Sequence, residues 1–130
     1  MTFDDQMRNH RSRCQRQLSR LRMLTLGQDG VMLPGRVAME IRDATNAIIA
    51  ETEAMSRAVL KAGGEEPGAE TFLWARVTRL ALAADQAVMA ARNGDAHELR
   101  THLHHFDTLT SAIWTVQHAV HRIPQQRVPR

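Results

Sequence analysis

Histidine is where chemistry would concentrate in this chain. Six of its seven histidines fall in the final third: His97, His102, His104, His105, His118 and His121. On a helix, residues three apart share a face, so His102 with His105, and His118 with His121, have the spacing of metal ligands. A structural zinc site needs four ligands, and a di-iron bundle needs Glu-x-x-His motifs on two helices plus two further glutamates. Glu98 stands four residues before His102 and no other helix supplies a matching pair. Solvated or boundary histidines are therefore expected, with no resident cofactor. A metal or cofactor site through His102, His105, His118 and His121 is the weaker alternative.

The one cysteine, Cys14, is the candidate nucleophile. Its place on an apolar seam predicts a small buried side chain, while His10 or Arg11 nearby would lower its pKa if it were reactive. No strand-to-helix elbow or oxyanion loop accompanies it, and glycine-rich phosphate loops are absent. The same segment carries Arg8, Arg11, Arg13, Arg16, Arg20 and Arg22, with no acid after Asp5. Six arginines could face phosphates, which makes nucleic-acid binding the alternative function. They are spread around the helix, however, and no helix-turn-helix signature is present. Pairing with Glu40, Asp43, Glu51 and Glu53 of the next helix is the plainer expectation.

The elements that must position these groups are four helices, because glycine and proline cluster in few places and helical periodicity fills the rest. The first is expected at about 3–26, with Asp4 and Asp5 favouring its N-terminus, Gly27 closing it and a sparse seam of Met7, Cys14, Leu18, Leu21 and Leu24 or Met23. Pro34 suits the first position of a second helix, about 34–62, with Val37, Ile41, Ala44, Ile48, Met55 and Val59 inward and Gly63-Gly64 as its closure. The third, about 69–93, buries Leu73, Val77, Leu80, Ala84, Val88 and Ala91, widened by Trp74 and Ala81. Gly94 ends it, and Asp95 with Glu98 resembles a capping box that starts the fourth, about 96–122, almost without a linker. Leu99, Leu103, Phe106, Leu109, Ile113, Val116 and Val120 face inward, and Pro124 helps to stop the chain.

The expected fold is thus all-α: an antiparallel four-helix bundle of two long hairpins, with residues 1–123 as one domain and 124–130 as a short basic tail. The rival is a pair of extended hairpins that complete their cores by dimerising. The chain has 130 residues, 43 % apolar and 24 % charged, with 4 % aromatic, so aliphatic side chains must fill the core. One cysteine permits no internal disulfide, which fits a reducing compartment. The polar N-terminus and the lack of a run of about 20 apolar residues predict a soluble, cytoplasmic protein with no membrane association. Its net charge of +3 rests on arginine, Lys61 being the single lysine.

Within the last helix, the run LTSAIWTVQHAV is apolar around more than half its circumference, so it is either central in its own bundle or covered by a partner. Ile113 and Trp114 are its candidate contact residues. The first two helices resemble the helical-hairpin, effector-associated-like segment of prokaryotic conflict and signalling proteins, over about residues 8–60. His10 and Arg11 match the His-Arg pair that opens the first helix, Leu18 and Leu21 its leucine pattern, and Gly27 its closure. Pro34, Glu40, Ile41 and Ile48 match the second helix. The resemblance implies an adaptor, with His10, Arg11, Leu18 and Leu21 in helix-to-helix contact. Its partner would be an effector protease or NTPase encoded nearby. The leading expectation is therefore a noncatalytic adaptor that docks on another protein and can form a homodimer.

Overall fold

A computed structural model describes the backbone of residues 2–26, 34–63 and 68–126, with side chains at 2–24, 34–62, 68 and 70–119. The expected closures at Gly27 and Gly64, the turn residues Glu65 to Pro67, the side chains of Val120 and His121, and residues 127–130 lie outside them. Four helices account for the described chain: α1 (Phe3–Leu26), α2 (Pro34–Gly63), α3 (Ala69–Arg92) and α4 (Ala96–Gln126). Each matches its expected span to within about four residues. The largest difference is at the end of α4, which runs through Pro124 to Gln126. Proline's fixed φ is itself helical, so the chain can stay helical past it, at the cost of one backbone hydrogen bond and of crowding against the carbonyl four residues back.

The caps are set by local chemistry. At the start of α1, Thr2 Oγ1 accepts the Asp5 amide at 3.1 Å while Asp5 Oδ2 accepts the Thr2 amide at 3.2 Å, a reciprocal capping box. Between α3 and α4, Gly94 adopts φ 70°. The Asp95 amide bonds back to the Ala90 carbonyl and the Gly94 amide to Ala91, both at 3.0 Å, the two bonds of a Schellman motif. Asp95 Oδ1 then accepts the Glu98 amide at 3.1 Å. Only this half of the expected box forms. The Asp95 amide is already engaged with Ala90, and the Glu98 carboxylate reaches His102 Nε2 at 3.2 Å instead.

Cross-helix pairs fix the directions. Arg13 meets Glu51 and Arg20 meets Glu40, so α1 and α2 run antiparallel. Arg22 meets Asp107 while Arg11 lies over Trp114, so α1 and α4 are antiparallel too. Gln117 bonds Ser56 at one level and Pro34 lies beside Gly94 at the other, which makes α2 and α4 parallel. Helices α2 and α4 also touch across the middle of the bundle, whereas α1 and α3 do not meet. The cross-section is a rhombus with α2 and α4 on its short diagonal. Small residues permit this approach: Ala83, Ala84, Ala87, Ala90 and Ala91 of α3 are all buried.

The apolar interior is divided. A large cluster spans Cys14, Leu18, Ile41, Ile48, Leu80, Phe106, Ile113 and their neighbours. A smaller one at the far end joins Met7, Met55, Val59 and Leu73. Both clusters combine residues of the two hairpins of one chain, so the hairpins pack against each other.

Candidate functional site

Between the two apolar clusters lies a polar layer. His10 of α1, Thr52 and Ser56 of α2 and Gln117 of α4 are each fully buried. Gln117 Nε2 donates to Ser56 Oγ at 3.0 Å and to the Thr52 carbonyl at 3.3 Å, while Thr52 Oγ1 donates to the Ile48 carbonyl at 2.7 Å. The two Gln117 bonds join α4 to α2 and fix their register. Other atoms of the layer are left over: Gln117 Oε1, Trp114 Nε1 and both ring nitrogens of His10 complete no hydrogen bond. His10 Nδ1 comes within 3.4 Å of Glu51 Oε1, an electrostatic approach without hydrogen-bond alignment. Its ring stands edge-on to Trp114, with centroids 6.5 Å apart.

The electrostatics of the layer make its reactive side chains quiet. Burial lowers the His10 pKa, and the nearby Glu51 carboxylate only partly restores it, so the imidazole is held neutral. Burial would raise Glu51, but the hydrogen bond and charge of Arg13, with a smaller contribution from the approach of His10, take its carboxyl below the usual range. Burial pushes the Cys14 thiol up to about 12, and the Glu51 charge adds to the effect. The sequence expectation for a reactive Cys14, a pKa lowered by His10 or Arg11, is reversed: desolvation outweighs the neighbouring arginine, and the side chain is the small buried apolar group of the plainer reading.

The arginines of α1 serve mainly to attach it. Arg13 Nε donates to Glu51 at 2.7 Å, Arg20 pairs with Glu40, and Arg22 pairs with Asp107 at 2.9 Å. Arg11 lies 5.8 Å from the centre of the Trp114 ring, and Arg8 is 3.8 Å from Asp5. Among the described residues Arg16 is the one of the six with no such contact, and it is exposed. Of the four acids expected to pair with α1, Glu40 and Glu51 do so; among the described residues Asp43 and Glu53 do not, Glu53 lying 4.0 Å from Arg57 of its own helix, and Asp107 of α4 is added.

The residues expected to dock a partner lie mostly inside. His10, Leu18, Leu21, Ile113 and Trp114 are buried in the chain's own core, and Arg11 is half-buried over Trp114. The apolar run of α4 is therefore central in its own bundle. Among the histidines, His97, His104 and His105 are exposed, His102 pairs with Glu98, and His118 is half-buried. Among the described residues, no three His, Cys, Asp or Glu side chains gather as a metal ion would require. The chain matches no family model, curated protein or solved structure.

What sequence reasoning missed lies on the outside of α3. Phe72, Leu82 and Met89 are 48 %, 58 % and 56 % exposed. They belong to a second seam, Phe72, Ala75, Arg79, Leu82, Gln86, Met89 and Asn93, which repeats at spacings of three and four and is exposed at every position. Beside it an open groove between α3 and α4 is walled by Leu82, Met89 and Ala90 and rimmed by Asp85, Asp95 and Glu98. The signal was the heptad from Ala75 through Leu82 to Met89. It was masked because the same helix carries a stronger inward stripe, and two apolar faces on one helix blur each other's periodicity.

Proposed function

We propose that this chain is a noncatalytic helical adaptor that docks on another protein through the outer side of α3 and the adjoining α3/α4 groove. One observation carries this reading: a bundle with a filled core keeps Phe72, Leu82 and Met89 in water along one helix face. Single exposed apolar residues need no explanation, but an apolar seam with a charged rim is the form that protein contact sites take. The inert states of the interior groups support the noncatalytic part. His10 is neutral, Cys14 stays protonated and Glu51 is held by Arg13. The hairpin resemblance supports an effector protease or NTPase encoded beside this chain as the partner.

The experiment is a binding titration between this chain and the purified product of the adjacent gene. Leu82→Arg and Met89→Arg are expected to weaken binding at least about tenfold, the scale of an interface hot spot, while Arg16→Ala leaves it unchanged. Circular dichroism of each variant confirms that the bundle persists. Binding that is absent, or indifferent to both α3 variants, refutes the reading.

A further inference from the structure

The outward seam of α3 is self-complementary. Leu82 sits at its middle, with Arg79 three residues before and Asp85 three residues after. Ala75 lies seven residues before and Met89 seven after, while Phe72 and Arg92 lie ten to either side. A two-fold axis through Leu82 that sets a second α3 antiparallel therefore pairs Leu82 with Leu82, Arg79 with Asp85, small Ala75 with large Met89, and the Phe72 ring with the Arg92 guanidinium. The last contact repeats one the chain already makes, since Arg76 lies 4.4 Å over the Phe72 ring. A parallel pairing would instead set Arg79 against Arg79 and Asp85 against Asp85.

From this pattern we infer that the occupant of the α3 seam is a second copy of the chain, in an antiparallel two-fold dimer centred on Leu82. The inference rests on the adaptor reading of this face: a second copy covers the α3 seam in the free protein, and the recruited protein displaces it. The polar positions Arg79, Gln86 and Asn93 alternate with the apolar ones, an arrangement that specifies orientation at a cost in strength. One helix face of about three heptads is smaller than a standard interface of about 20–30 residues a side, so association is weak and concentration-dependent. Arg79 is free to cross the axis. Asp85 is bonded to Arg42 at 2.6 Å, which orients its carboxylate without burying it.

The test is sedimentation velocity on the full chain from low micromolar to near-millimolar concentration. The wild type is expected to pass from monomer to dimer. Arg79→Glu and Asp85→Lys each turn both cross-axis attractions into repulsions and are expected to weaken the dimer about tenfold or more. An equimolar mixture of the two restores opposite charges at both contacts and is expected to dimerise as the wild type does. A misfolded variant cannot produce that rescue. A wild type that stays monomeric throughout overturns the inference, as does a mixture no tighter than either variant alone. A monomer that still binds another protein through Leu82 sinks the dimer and leaves the adaptor standing. A dimer with no Leu82-dependent partner does the reverse.

Discussion

His10 is expected to be a liability to the fold, and replacing it with leucine should make the protein more stable. The side chain is fully buried, and neither ring nitrogen completes a hydrogen bond. A buried polar atom left unsatisfied costs about 1–3 kcal/mol, and the approach of Glu51 offsets part of this at one nitrogen. Against the gain stands the edge-on contact with Trp114, an arrangement worth about 0.5–1.5 kcal/mol. Leucine fills a similar volume, so the net expectation for His10→Leu is a stabilisation of about 1–2 kcal/mol, or roughly 4–8 °C in Tm for a chain of this size. A second arm uses pH. The folded pKa of His10 lies below the ordinary 6.5, so the unfolded chain binds the proton more readily. Stability is therefore full above pH 6.5 and falls as pH drops toward the lowered folded value, at up to about 1.4 kcal/mol per pH unit. Thermal melts followed by circular dichroism at about pH 7.5 and about pH 5.5 compare the two proteins, and the gap between them is expected to be wider on the acid side. A variant less stable than wild type at the higher pH, or one with the same acid slope, would refute the reasoning and mean that the imidazole is satisfied in the folded chain.

Three further outcomes follow from the same geometry. Asp95→Ala removes the acceptor for the Glu98 amide and is expected to cost about 1 kcal/mol in denaturant melts, whereas Glu98→Ala, whose carboxylate caps nothing, should cost less. Phe106→Ala, at the largest fully buried side chain, is expected to lose about 3–5 kcal/mol, readable as a fall in the urea midpoint at constant slope. Cys14 should resist alkylation in the folded protein. Because its pKa is raised from 9.0 to about 12, stability is full below pH 9.0 and is lost as pH rises toward 12, an alkaline limb that Cys14→Ala abolishes.

The four helices were legible because glycine and proline mark the start of α2, its end and the α3/α4 junction, and because each helix carries an inward stripe; α4 alone runs past its expected stop at Pro124. Met7, Cys14, Leu18 and Leu21 of the sparse first helix are all buried as their spacing required. The polar layer was not legible. His10, Thr52, Ser56 and Gln117 lie on three helices, and a stripe search passes over polar residues at inward positions. Thr45 and Thr110 hide in the same way, each donating its hydroxyl to the carbonyl four residues back, so they enter the core without a cross-helix partner. The histidine-rich start of α4 drew attention by composition, yet most of those rings face water, while the isolated His10 is the buried one. Composition counts residues, whereas burial depends on which face each occupies.

The outer seam of α3, the proposed docking face, was hidden for the same reason. The inward face of this helix is alanine-rich, which lets α2 and α4 close on each other, so its largest exposed side chains lie where the fold does not need them. Exchanging Leu82 for a polar residue should leave stability within about 0.5 kcal/mol, since surface substitutions seldom do more. Leu82 sits midway between an oppositely charged pair, and midway between a small and a large side chain, the pattern on which the proposed docking face rests. If Leu82→Arg instead destabilised the isolated monomer by several kcal/mol, that side chain would belong to the core, and the case for a docking face on α3 would fail with it.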